Sequence, residues 1–390
     1  MNKRLIALAV AAAVVAPAVA IADDSTVTLY GTLNADFENV KAKGGGTGVA
    51  EIKQRNRVSS NSSNIGFKGV EPLGGGVDAI FQAESSVNLD AGGGTWASRN
   101  SGIGLKGGFG TVIIGQWDSA YKISTIRLDP FGDTTIGAYT GILGGGSQTT
   151  AGNQTTRSSF DRRVSNSLTY ISPDIANSGV VIRATYGANE EKTTTVGGTT
   201  TNPWLGSVAV TWEGKPGGVV VPYVGAAYET HQDFGGNSVD DKGYKGFVGL
   251  SMANGLNFGL VWERLKFEGP DAAGAATAIY KGTLNPGAGG AQITDWFATV
   301  GWKGGPNSVA LSYAKDQKVK LNGSEVGDAK AKQWSLRYGY DLSKRTQFYA
   351  MYTDIRNDAA SSNTFAVNAL TLNGAGQDPR GFGVGVIHKF

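Results

Sequence analysis

Hydrophobic and polar residues alternate along short segments of this chain. In TVTLYGTLNADF (26–37), Val27, Leu29 and Phe37 fall on one face of an extended strand, whereas Asn34 falls on the other. The same two-residue period recurs at 77–87, 203–213, 295–303 and 333–340. Segments of about ten alternating residues separated by turns are typical of a transmembrane β-barrel, in which one face meets lipid and the other meets water.

Aromatic residues bracket the apolar faces of these segments. Trp204 and Trp212 share a face eight residues apart, and so do Phe382 and Phe390. In a tilted strand, eight residues rise about 20 Å, which is close to the roughly 25 Å apolar band between the two aromatic girdles of a membrane barrel. A soluble β-sandwich also alternates, but it buries its apolar face and has no reason to bracket it with aromatic rings.

Short turns alternate with longer polar connections. The predicted short turns are at 72–76, 107–110, 173–179, 214–218, 253–255, 304–306 and 341–344, and the predicted long loops lie near 39–57, 88–97, 118–162, 189–202, 231–242, 269–292, 318–331 and 358–378. Seven turns and eight loops predict an all-β, 16-stranded antiparallel barrel with short periplasmic turns and long extracellular loops. A barrel of that size encloses a water-filled lumen.

The longest connection, 118–162, is far longer than ordinary connections of 2–6 residues. Such a length indicates either function or disorder. We expect this third long loop to fold into the barrel, where its first part would carry a group of charged side chains into a narrow space. These side chains are Asp118, Lys122, Arg127, Asp129 and Asp133.

Residues 1–22 have the pattern of a secretory signal peptide. Lys3 and Arg4 precede an Ala-rich apolar stretch, and small residues allow cleavage after Ala20 or Ala22. A transmembrane anchor is the alternative, since the stretch is nearly long enough to span a bilayer. If this segment is removed on export, we expect residues 23–390 to form a single β-barrel domain.

Composition excludes several classes of function. The chain has no cysteine, and His231 and His388 are far apart, so we expect no metal and no cofactor. Without Lys3 and Arg4, the 35 basic residues become 33 against 32 acidic ones, so net charge indicates neither nucleic acid nor any other partner. The chain lacks P-loop, GxSxG and HExxH motifs, so we expect no enzyme.

Six segments spread over the chain resemble the general porins of the Gram-negative outer membrane, most closely the beta-proteobacterial branch. They are VTLYG (27–31), GFKG (66–69), DPFGD (129–133), RRVSNSLTYISP (162–173), LSKRTQFYAMY (342–352) and DPRGFGVGVIHKF (378–390). The resemblance implies a homotrimer of sixteen-stranded barrels, each with its own pore, in which the third loop, here 118–162, forms the constriction. It also implies outer-membrane lipid and lipopolysaccharide as surroundings, and Phe390 as the signal read by the barrel-assembly machinery.

Strand parity predicts which side chains face the lumen. The wall candidates are Asn64, Lys68, Glu84, Asn100, Lys106, Arg163, Arg183 and Arg337, opposite Asp118, Asp129 and Asp133 of the loop. Structural alternatives remain open. Arg163 could anchor the loop through a carboxylate, and Asp129 or Asp133 could cap a turn. Arg183 and Arg337 could stiffen the wall. On the predicted outer face, polar Asn61 and Ser63 would fit a trimer contact.

These features predict a channel for passive diffusion of small hydrophilic solutes and ions. The resembled family often has arginine near the positions of Asn64 and Asn100, so the sequence predicts weak selectivity, mildly anionic. A substrate-specific channel is the main alternative, with loop aromatics such as Trp117, Phe131 and Tyr139 binding one solute. A plugged, structural barrel is another.

Overall fold

A computed structural model describes residues 25–132, 134–145, 159–188, 193–194, 200–234, 238–269 and 289–390. Its sixteen barrel strands are β1 (Thr26–Gly44), β2 (Ile52–Ser60 and Asn64–Gly74), β3 (Val77–Ser86), β4 (Ser101–Gly107), β5 (Gly110–Asp118), β6 (Arg163–Ile171), β7 (Val180–Ala188), β8 (Trp204–Glu213), β9 (Val220–Gln232), β10 (Asp241–Met252), β11 (Leu256–Phe267), β12 (Ala291–Gly304), β13 (Asn307–Leu321), β14 (Ala331–Asp341), β15 (Thr346–Asn357) and β16 (Gln377–Lys389). The predicted signal peptide lies outside the described residues.

Each strand pairs antiparallel with its neighbours in sequence, and β1 pairs with β16 to close the barrel. The closing register runs from Thr32 opposite Lys389 to Gly44 opposite Gln377. Because the first and last strands are joined, the barrel has no open edge. The predicted sixteen-stranded antiparallel barrel is therefore confirmed. The first long loop is shorter than the predicted 39–57, because β1 and β2 extend to Gly44 and from Ile52.

The outer surface is apolar where the alternation predicted it. Val210 and Trp212 of β8, Trp302 of β12 and Tyr338 of β14 are exposed on the outside, whereas their strand neighbours, such as Thr211, are buried inside. The described residues contain no helix that is long and apolar enough to span a membrane. Short hairpins outside the barrel are formed by Thr193–Thr194 with Thr200–Thr201 and by Ser324–Glu325 with the end of β13.

A β-bulge in β2 reverses the predicted orientation of Asn61 and Ser63. Ala35 pairs with Ser60 and Thr32 with Asn64, so three steps along β1 match four along β2. Ser62, which lies in this bulge, has a positive φ of 55°. Because one inserted residue exchanges the two faces of a strand, Asn61 and Ser63 are buried inside the barrel rather than on the outer face.

The described residues of 119–162 (119–132, 134–145 and 159–162), hereafter the inward segment, fill part of the barrel interior. Helix α1 (Ala120–Thr125) begins after Ser119, whose side chain accepts a hydrogen bond from the Lys122 backbone N–H. Short 3₁₀ turns follow at Ile126–Leu128, Tyr139–Gly141 and Leu143–Gly145. Their apolar side chains pack against the inner wall of β9 to β16. The predicted inward fold of the third loop is therefore confirmed.

Candidate functional site

The inward segment is hydrogen-bonded to the wall that it covers. The Tyr121 hydroxyl donates to Glu263 Oε2 at 2.8 Å, and the Gly144 backbone N–H donates to Oε1 of the same carboxylate at 2.6 Å. Lys245 of β10 donates to Asp161 at 2.7 Å and to Thr125 at 3.1 Å. The wall residues in these contacts belong to β10 and β11, which follow the segment by many residues along the chain. They hold both ends of the segment against the same side of the barrel.

A stack of three rings lies where the inward segment returns to the wall. His231 of β9 stacks on Phe160, with ring centroids 4.2 Å apart, and on Phe234, at 4.8 Å. His231 Nε2 is also 2.9 Å from Glu229 Oε1. Arg162 lies beside the Phe234 ring, and burial lowers the pKa of Arg162 to about 10, so it remains charged at neutral pH. The stack fixes the end of the inward segment.

Asp129 lies in a turn of the inward segment, directly after the 3₁₀ turn at Ile126–Leu128. Asp129 Oδ1 accepts the Phe131 backbone N–H at 3.0 Å, and Oδ2 accepts the Tyr139 backbone N–H at 3.4 Å. The carboxylate thus caps the turn, which was the structural alternative for this residue. Arg337 of β14 donates to the Pro130 carbonyl at 3.1 Å and joins the turn to the wall.

Three predicted residues meet at the base of the inward segment. Asn100 donates to Asp118 Oδ2 at 3.0 Å, and Arg163 lies 3.4 Å from Oδ1 of the same carboxylate. Arg163 also donates to Asn100 Oδ1 at 2.8 Å, and Lys122 lies 3.5 Å from Asp118. Since Asp118 ends β5 and Arg163 begins β6, the cluster ties together the two strands from which the segment departs.

Arg99, which strand parity did not select, lies beside the predicted Glu84. Its guanidinium forms an ion pair with Glu84 Oε1, and the Tyr30 hydroxyl donates to Oε2 at 3.0 Å. Strand parity points to the neighbouring Asn100. Arg99 precedes the start of β4 at Ser101, in a bend where the two-residue period of a strand does not apply. The only available sequence signal was a basic residue directly beside a predicted wall position.

A cavity of about 490 Å³ lies between the inward segment and the wall. Asn64 and Arg99 line one side, and Asp129, Pro130 and Arg337 line the other. The cavity continues toward the short-turn end, where its lining includes Lys303, Asp341, Lys344, Arg345 and Lys389. Of the predicted site residues, Asn64, Asp129 and Arg337 are therefore brought to one cavity.

Three further predicted residues, all within the described ranges, lie apart from this cavity. Arg183 of β7 donates to Thr211 at 3.3 Å, and Lys106 is exposed next to a short turn. The Phe390 backbone N–H and carbonyl both bond to Gly31 at 3.1 Å, so this residue continues the closing seam of the barrel. Asp133 lies outside the described residues. In the described part of the chain, no group of three or more His, Asp or Glu side chains could hold a metal ion.

The sequence matches the family model described as Gram-negative porin over residues 7–360. The major outer membrane protein P.IB of Neisseria lactamica is 43% identical over 123 residues, 31% of this chain and 35% of that protein. The match thus spans about a third of that relative's length. P.IB of Neisseria meningitidis serogroup A (strain DSM 15465 / Z2491) is 28% identical over the whole of both chains.

A solved structure has the same fold. The anion-selective porin from Comamonas acidovorans superposes with a TM-score of 0.69 at 22% identity, covering 94% of this chain and 100% of that one. The family match covers most of the sequence, and the barrel and its inward segment agree with it. The chain belongs to the Gram-negative porin family.

Proposed function

We propose that this chain forms a water-filled channel for passive diffusion of small hydrophilic solutes and ions, with weak preference for anions. One observation carries the proposal: the inward segment is fixed to the wall of β9 to β16, and a polar cavity of about 490 Å³ remains beside it. Solutes would pass between the Asp129 turn and the wall that carries Asn64 and Arg99. The inward segment would thus be the constriction.

The sign of the selectivity follows from the charges that line the cavity. Six basic residues line it, against two acidic ones. Asp129 is engaged by backbone N–H groups, and Asp341 lies 2.9 Å from Lys303. The uncompensated charge is positive, and a charged lining in a narrow passage selects ions by sign. Because the passage is wet and salt screens exposed charges, the preference should be weak.

The predicted residues receive different roles in this proposal. Asn64, Glu84 and Arg337 would line the passage, with Asp129 shaping its narrow side. Asn100, Asp118 and Arg163 would line the wall and hold the base of the inward segment. Arg183 and Lys106 would contribute charge near the short-turn mouth, and Asp133, which lies outside the described residues, would add a negative charge to the constriction.

We also propose the assembly that family membership implies. The barrel would be a homotrimer surrounded by outer-membrane lipid and lipopolysaccharide, exported by means of residues 1–22. Phe390 would be the signal for the barrel-assembly machinery. The chain would catalyse no reaction. Migration of the unheated, folded protein as a trimer would support the assembly, and a folded monomer would contradict it.

Planar-bilayer recordings of the purified protein test the channel itself. We expect single-channel conductance in potassium chloride. In a salt gradient, we expect a reversal potential whose sign shows that anions pass more readily than cations. Deleting part of 129–147 removes the Asp129 turn and should raise the conductance. A folded variant with the original conductance would refute the constriction, and a strong cation preference would refute the proposed selectivity.

A further inference from the structure

Four basic side chains surround the short-turn end of the cavity, and we call them the basic rim. They are Lys303 at the end of β12, Lys344 and Arg345 in the turn between β14 and β15, and Lys389 at the end of β16. Arg337 lies deeper in the same cavity. The charges thus follow one arc of the mouth, and the short turn at 214–218 lies outside that arc.

Acidic groups leave most of this charge uncompensated. Lys303 is paired with Asp341 at 2.9 Å, and the Asp129 carboxylate caps its own turn. Among the described side chains, no carboxylate forms an ion pair with Lys344 or Arg345. An anion at the rim would therefore displace no internal partner of these two residues.

The backbone that carries Lys344 and Arg345 is ordered by its own hydrogen bonds. Ser343 Oγ accepts the backbone N–H groups of Arg345 at 3.2 Å and Thr346 at 3.0 Å. The Lys389 backbone N–H donates to the Arg345 carbonyl at 2.8 Å, which joins the turn to β16. A turn that is already ordered loses less entropy when its side chains bind a ligand.

We propose that the basic rim and Arg337 form a binding site for a small anion with two or more carboxylate or phosphate groups. The inference deepens the proposed function, on which it rests. Arg345 presents a planar fork that suits oxyanions, and the lysines add point charges that can engage a second group of the same ligand. Arg337, whose guanidinium donates to Pro130 and Gln347, adds positive charge deeper in the cavity. A monovalent anion uses only part of this arc. Because the rim is exposed, binding should be weak, on the order of 1 mM.

The test is the block of single-channel current by citrate and by pyrophosphate, compared with acetate at equal ionic strength. The wild-type protein is compared with the double variant K344Q/R345Q and with K215Q as control. Lys215 is an exposed lysine in the short turn after β8, away from the cavity. Unheated gel mobility shows that each variant is folded.

We expect at least one of the two multivalent anions to block the current, and acetate to block far less. In K344Q/R345Q the half-blocking concentration should rise about fivefold, and in K215Q it should stay unchanged. Block by citrate only or by pyrophosphate only identifies the oxyanion. Conducting channels without block, equal block by acetate, or no response to K344Q/R345Q would overturn the inference. A wild-type protein without conductance would instead refute the proposed function.

Discussion

Arg127 and Glu213 form a two-pronged ion pair, with both nitrogen–oxygen distances at 2.8 Å. Arg127 belongs to the inward segment, and Glu213 ends β8 beside a short turn. The guanidinium also lies 4.2 Å from the centroid of the Tyr223 ring, and its hydrogen bonds to Glu213 raise the pKa of Arg127. The inward segment is therefore fixed to the barrel down to its short-turn end.

The energetic coupling of this pair can be measured with R127Q, E213Q and the double variant. Both side chains are nearly half exposed, so solvent screening should limit the coupling to about 0.5–1 kcal/mol. We expect the double-mutant cycle, measured by denaturant unfolding of the folded barrel, to give this value. Zero coupling would mean that the inward segment is held without the pair.

Periodicity predicted the strands because lipid on one side and water on the other impose a two-residue repeat over most of the barrel. It failed at Asn61 and Ser63, since a single bulged residue with a positive φ at Ser62 exchanges the faces of a strand. It also missed Arg99, because this residue lies in a bend before the start of β4 at Ser101, where parity does not apply. Local backbone breaks of this kind leave no mark in an alternating pattern.

The contacts of the inward segment were beyond sequence reasoning for a different reason. Tyr121 meets Glu263 across 142 positions of the chain, and Gln333 donates to carbonyls at Gly137 and Ala138 nearly 200 positions away. Charge and length could predict that the loop folds inward. They could not predict which strand it meets, because that depends on packing between distant elements.

Glu263 is predicted to be the main polar anchor of the inward segment. It receives the Tyr121 hydroxyl and the Gly144 backbone N–H, and it is fully buried. In E263Q an amide N–H₂ group replaces one of the two acceptor oxygens, so one buried donor of the inward segment is left without a partner. This loss should lower the free energy that holds the segment in place by about 1–3 kcal/mol. We expect faster hydrogen exchange of the segment and noisier single-channel current.

The matched control for this change is E268Q. Glu268 lies just beyond β11, near the same rim of the barrel, but its side chain is half exposed and pairs with Lys242. Hydrogen exchange of the inward segment should stay at the wild-type rate in E268Q. If both variants behaved alike, the anchoring role of Glu263 would be contradicted.

Gly243 is predicted to be required for the ring stack at the end of the inward segment. A Cβ atom at Gly243 would lie 2.6 Å from Phe160, whose ring is held between His231 and Phe267 and has little room to move. G243A should therefore destabilise the folded barrel by about 1–3 kcal/mol, measured by denaturant unfolding.

Gly246 supplies the control on the same strand. No atom lies within 4 Å of the Cβ that an alanine would add there. G246A should leave stability within about 0.5 kcal/mol of the wild-type value. Equal losses in G243A and G246A would show that the cost comes from strand glycines in general and not from contact with Phe160.

Arg99 is predicted to contribute to anion preference, although strand parity did not select it. It lines the cavity opposite the Asp129 turn and pairs with Glu84, so R99Q removes a positive charge and leaves that carboxylate with the Tyr30 hydroxyl alone. The ratio of anion to cation permeability should fall about twofold, because a single charge in a wet passage acts through a high dielectric.

E84Q should shift the ratio in the opposite direction. The control is K332Q, which removes an equal positive charge from the outer face of β14. Reversal potentials in a potassium chloride gradient measure all three, and equal shifts in R99Q and K332Q would assign the effect to net charge rather than to the passage.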